Sequence, residues 1–157
     1  MRFERAYVPA GGAWSSPFVR WQGSLAEVDS LDLATYVTTR ALRDRGIDPA
    51  GLGRVVLGMT VIQELGFYGA PTLAARIGAP GISGPMLSQA CATSALCVEV
   101  AASEVEVGQE GDILAVASDR CSNGPLLLFP SAAATGGAPR SEHWVIDNFG
   151  RDPWTSQ

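Results

Sequence analysis

Residues 86–97 read Met86-Leu87-Ser88-Gln89-Ala90-Cys91-Ala92-Thr93-Ser94-Ala95-Leu96-Cys97, a short extended stretch running straight into a helix. Met86-Leu87-Ser88 has the length of a brief strand. From Cys91 to Val107 the chain is mostly apolar and rich in small residues. Three of its polar positions, Glu99, Ser103 and Glu106, fall at i, i+4 and i+7 along one stripe. A helix of this kind is expected between two layers, with little solvent on it, and Gly108 supplies its stop. The turn therefore places Cys91 at the N-terminus of a buried helix, on a sharp bend of the kind that presents a nucleophile.

On either side of this turn, strand-like and helix-like segments alternate up to about Pro130, the signature of an α/β domain. Asp29 or Ser30 caps a first helix running to Arg45, with Leu33, Ala34, Val37 and Ala41 on its apolar face and Gly46 at its end. Arg54 to Met59 reads as a buried strand centred on Val55-Val56-Leu57. A short helix over Thr72 to Ile77 follows, Pro71 suiting its first turn. Asp112 to Ser118 is apolar on both faces, as a central parallel strand is. Leu126 to Phe129 is expected as an antiparallel last strand. Pro9 lies where a first strand should be central, and because it cannot donate to the ladder the strand should end there. Ser131 to Pro139 is a loop by composition. The tail beyond it carries Trp144, Val145, Ile146, Phe149 and Trp154, which need a surface to pack on.

With 157 residues the chain holds one domain with a real core. Apolar residues make up 46% and charged residues 17%, as in soluble globular proteins. No apolar run approaches the roughly 20 residues that span a bilayer. No signal-peptide stretch follows Met1, so a cytoplasmic protein is expected. A net charge of −5 argues against nucleic acid as a partner. Every basic residue is Arg. Three cysteines and one histidine, His143, fit neither a disulfide framework nor a zinc spacing, so no metal is expected and the thiols are taken as reduced.

The question is then which thiol reacts. A helix N-terminus stabilises a thiolate through its dipole and free N–H groups. The same groups can hold the oxyanion formed when a thioester carbonyl is attacked. Cys91 has that position. Cys97 lies one and a half turns into the helix and reads as core, and Cys121 follows a strand end. A redox pair of Cys91 and Cys97 is disfavoured, because six residues is not the i+3 or i+4 spacing that brings side chains together.

Ser88-Gln89-Ala90-Cys91-Ala92-Thr93-Ser94-Ala95 resembles the active-site segment of the thiolases, in which the acylated Cys is followed by small residues opening a long helix. Ser16-Pro17-Phe18 through Gly23-Ser24-Leu25 resembles the family's Arg-Thr-Pro-Phe…Gly-Gly-Ser-Leu. Val56-Leu57-Gly58 resembles its Ile-Leu-Gly strand end. Ala117-Ser118-Asp119-Arg120-Cys121-Ser122-Asn123-Gly124-Pro125 resembles its Gly-Met-Glu-Ser-Met-Ser-Asn-Ala-Pro. The four segments stand in the family's order and cover residues 6 to about 130. The ketoacyl synthases share the fold, but the Ser122-Asn123 stretch points to thiolases. Ser118-Asp119-Arg120 and the Ala and Thr residues after Cys91 depart from the family's usual choices.

The resemblance implies an α/β fold: a thiolase-like N-terminal half with a mostly parallel five-stranded sheet and a buried Cys-bearing helix. Residues 1–130 would form that domain and residues 131–157 the beginning of a loop region. It implies acyl transfer, with Cys91 as catalytic residue carrying the acyl group during Claisen condensation or thiolysis of 3-ketoacyl-CoA. Acyl-CoA and CoA would be substrates, with no resident cofactor, and no CoA-contact residue is assigned. In the family a second half supplies an Asn-His-Glu loop, a Gly-His-Pro loop and a second Cys, none of which occurs here. His143 matches neither loop. The expected partners are therefore a complementary C-terminal half and, in the full enzyme, further copies in a homo-oligomer. The alternative reading is a truncated or non-catalytic thiolase-like module that only associates with other proteins.

Overall fold

The computed structural model describes residues 2–131, 136–152 and 154–155. Helix α1 spans Ser30–Asp44. The Asp29 carboxylate accepts from the Leu31 N–H at 2.7 Å, and Gly46 follows the helix at φ +66°, a conformation open to glycine without strain. Both ends are those expected from the sequence. Strand β1 (Leu52–Gly58) is followed by α2 (Gly69–Arg76), β2 (Met86–Leu87), α3 (Thr93–Glu106) and β3 (Asp112–Ala117). Helix α2 starts earlier than its sequence pattern suggests because a 3-10 turn over Gly66–Tyr68 feeds directly into it.

The order β2-β1-β3, parallel throughout, makes β1 the central strand of a three-stranded sheet. The five-stranded sheet expected from the sequence is corrected in three places. Residues 4–6 do not form a first strand; their N–H groups are taken instead by the Glu106 carboxylate. Among the described residues β3 is an edge strand on which Leu114 alone is buried, so its apolar run does not mark the centre. Leu126–Phe129 is a strand, β4, but it pairs antiparallel with β5 (Arg140–His143) in a separate two-stranded sheet. Helix α4 (Trp144–Phe149) follows β5 directly. Residues 132–135 of the expected loop lie outside the described residues.

Alternation along β1 splits the core in two. Val55 and Leu57 face a cluster that includes Leu31, Leu42, Leu73 and Ile77 from α1, α2 and the residue after α2, while Val56 faces Cys97 and Ala101 of α3. Complete burial of a side chain such as Leu57 contributes roughly 1.5–3 kcal/mol. The sheet thus has helices on both faces.

Helix α3 is not buried all round. Thr93, Cys97 and Ala101, spaced by four, form the buried stripe. Ala92, Ser94, Ala95 and Val98 are exposed, Val98 at 54%. The expected second layer over this face is not supplied by the described residues. Of the tail, Trp144 is half-buried and Val145 buried, while Phe149 and Trp154 stay exposed. Among the described residues no helix is long and apolar enough to cross a membrane.

Candidate active site

Because β1, β2 and β3 are parallel, the segments leaving them meet at one edge of the sheet, where open α/β proteins bind ligands. These segments are Met59-Thr60-Val61, Ser88 to Cys91 and Ser118 to Cys121. Cys91 lies on a 3-10 turn, Ala90–Ala92, that opens α3, and it is exposed. The bend is made by the residue before it: Ala90 has φ +45°, in the left-handed region that an L-residue other than Gly, Asn or Asp rarely adopts. Such a conformation costs on the order of 1–3 kcal/mol and persists only where its surroundings hold it.

Four neighbouring side chains hold it. The Thr93 hydroxyl donates to the Ala90 carbonyl at 2.7 Å and accepts from the Gln89 N–H at 2.8 Å. Thr60 comes from the neighbouring strand end, its Oγ1 2.8 Å from that of Thr93 and 3.3 Å from the Ala90 oxygen. The Asp119 carboxylate accepts from the N–H groups of Thr60, at 2.9 and 3.1 Å, and of Val61, at 2.8 Å. The Trp144 indole N–H donates to the Thr60 carbonyl at 2.9 Å. The ends of all three parallel strands, and α4 with them, are tied to one residue.

The three thiols differ in setting. Cys97 is buried against Gly58, and burial pushes its pKa up. Cys121 is half-buried and also pushed up, first by desolvation and then by the nearby Asp119 carboxylate. Cys91 alone is exposed. Asp119 is open to solvent as a residue, yet desolvation of its inward carboxylate raises its pKa, against the lowering effect of the Val61 and Thr60 hydrogen bonds. His143 caps α4: its Nδ1 accepts from the Ile146 N–H at 3.1 Å and its own N–H donates to Asp147 at 2.7 Å. No group of three or more His, Cys, Asp or Glu placed to hold a metal occurs among the described residues.

Two of the segments singled out in the sequence meet here as well. The Ser122 hydroxyl accepts from the Gln22 N–H at 2.8 Å, and the Asn123 side chain reaches Gln22, Ala26 and Glu27. The sequence reading missed Thr60, Thr93 and Trp144 as parts of this edge. Thr93 carried a signal, lying in the same segment as Cys91; Thr60 carried none.

Fold and edge together define an open α/β protein that offers one exposed thiol on a strand-to-helix turn. The sequence pattern of the family described as "Thiolase, N-terminal domain" matches residues 11–138, and the chain belongs to that family. It is 27% identical over 145 residues to acetyl-CoA acetyltransferase 2 of Arabidopsis thaliana, covering 90% of this chain and 34% of that protein. The acetyl-CoA acetyltransferase of Syntrophomonas wolfei superposes with a TM-score of 0.69 at 27% identity, over 79% of this chain and 32% of that one. Human mitochondrial 3-ketoacyl-CoA thiolase, in its complex with CoA, reaches a TM-score of 0.78 at 17% identity, over 90% and 36%. The chain thus spans about a third of the length of the relatives it matches.

Proposed function

We propose that this chain is the acyl-accepting N-terminal part of a thiolase-like acyltransferase, residues 1–130 being its α/β domain and residues 131–157 the opening of a loop region. The observation that carries the reading is the position of Cys91, the one exposed thiol, on the Ala90 turn where the parallel strands end. In thiolysis the Cys91 sulfur attacks the 3-keto carbonyl carbon, the bond between the α- and β-carbons breaks, and the departing acetyl-CoA carbanion takes up a proton. The thiolate of a second CoA then attacks the acyl-cysteine and regenerates the thiol. Splitting one hard step into two lowers each barrier. The N–H of Cys91, near the start of α3, helps to hold the oxyanion.

Proton transfers to the leaving carbanion and from the incoming thiols need positioned bases, worth about 10²–10⁴-fold. His143 has one ring nitrogen committed to the α4 cap, which leaves it poorly placed for that work. A complementary C-terminal half is therefore proposed to supply those groups and to cover the open face of α3. Relatives named for acetyl-CoA and 3-ketoacyl-CoA support thioesters of CoA as the substrate class. The test is turnover of acetoacetyl-CoA by the chain alone and joined to a complementary half. Inactivity alone with activity together is expected. Ordinary enzymatic rates from the chain alone would remove the need for a partner, and association without turnover would favour a binding module.

A further inference from the structure

We propose that Thr60 is a positioning residue for Cys91, an inference that rests on Cys91 being the acyl acceptor. Each polar group of Thr60 is engaged: its N–H by Asp119, its carbonyl by Trp144, and its hydroxyl by Thr93 and Ala90. The direction of the hydroxyl chain follows from counting protons. A threonine hydroxyl has one proton to donate and two lone pairs. Thr93 donates its proton to the Ala90 carbonyl and accepts from the Gln89 N–H, so its remaining lone pair takes the proton of Thr60. Thr60 thus heads a relay of Thr60 O–H to Thr93 O–H to the Ala90 carbonyl, in which each bond polarises the next.

The relay ends on the carbonyl of the strained residue. Ala90 at φ +45° directs the peptide that joins it to Cys91, and so sets where the thiol stands relative to the first turn of α3. Anchored by Asp119, Thr60 cannot follow if the turn relaxes, so losing its hydroxyl leaves Thr93 one donor short and weakens the bond that Thr93 makes to the Ala90 carbonyl. The Cys91 sulfur then shifts relative to the first turn of α3, the position from which a helix start favours reaction of a thiol. Thr60 touches no reacting atom; it acts through Ala90.

The test compares the unaltered chain with Thr60→Val, which keeps the branched shape and removes the hydroxyl, and with Thr60→Ser, which restores it. Iodoacetamide labelling of Cys91 is followed by peptide mapping near neutral pH, with the labelling of Cys97 and Cys121 and the unfolding midpoint as controls. Thr60→Val should slow labelling of Cys91 near neutral pH by about 3–10-fold, the effect of one hydrogen bond, and leave Cys97 and Cys121 unchanged. Thr60→Ser should stay within about twofold of the unaltered chain. General loosening would lower the unfolding midpoint and speed the labelling of Cys97 and Cys121, and that result would overturn the proposal. So would a Thr60→Val protein that labels like the unaltered one, or a Thr60→Ser protein as impaired as Thr60→Val. If Thr60→Val does not fold, Thr60→Ala carries the same expectation. Acylation of unaltered Cys91 by an acyl-CoA, with a complementary half present, is scored separately. Its absence counts against the acyl-acceptor reading, while the labelling comparison judges Thr60.

Discussion

Gly58 and Cys97 lie so close that a Cβ at position 58 would stand 2.6 Å from the Cys97 sulfur and 2.7 Å from the Thr93 Cγ2. This contact seats α3 on the central strand, and with it the turn that carries Cys91. Gly58→Ala should therefore push the helix away and destabilise the chain by about 1–3 kcal/mol, the usual effect of overpacking. Denaturant midpoints measure it. An unmoved midpoint would mean that α3 sits farther from β1 than described.

The open face of α3 gives a conditional prediction. Ala95 is exposed, so Ala95→Leu should change the stability of the chain by itself by less than about 0.5 kcal/mol. With a complementary half covering the helix, the same change should cost about 1–3 kcal/mol of the assembled protein's stability. Equal effects in both settings would place the partner elsewhere.

Glu106 holds the N-terminal arm. Its Oε1 accepts from the N–H groups of Glu4, Arg5 and Ala6 at 2.7, 2.6 and 2.9 Å, and these bonds, that of Arg5 foremost, keep its pKa below the ordinary glutamate range. A lowered folded-state pKa contributes stability above the ordinary range and loses it as pH falls through the depressed value. The protection of the residue 4–6 amides, their exchange taken relative to the intrinsic rate at each pH, should accordingly be present at neutral pH and be lost in acid. Glu106→Gln should abolish that pH dependence; a Gln variant that retains it would assign the effect to another group.

The thiols should label in a fixed order. Near neutral pH, iodoacetamide should modify Cys91 faster than Cys121, whose thiol is raised by burial and by Asp119, and Cys97 last, since it is buried. Peptide mapping reads the order directly. Cys121 labelled first would detach reactivity from the turn.

Local chemistry was legible in the sequence wherever it was local in cause. Asp29 and Gly46 announce the ends of α1, Val55-Val56-Leu57 announces β1, and Cys97 reads as core because its helical neighbours are apolar. Strand order was not legible: β1 and β3 carry similar apolar runs, and only pairing decides which is central. The first strand failed because Pro9 and the capture of residues 4–6 by Glu106 remove the ladder donors it needs, and Glu106 read only as part of a polar stripe. At the site, Cys91 could be picked from its helix start. Thr60 could not, since its role exists only once parallel pairing of β1 with β2 brings it beside Ala90.

If Cys91 is the acyl acceptor, the acyl group resides on its sulfur during turnover. The direct measurement is intact mass followed by peptide mapping after the chain, joined to a complementary thiolase half, is incubated with an acyl-CoA and quenched in acid. One added acyl group is expected on the peptide containing Cys91, discharged by free CoA and absent from Cys91→Ser. An acyl group on Cys121 or Cys97, or active protein that never shows one on Cys91, would contradict it.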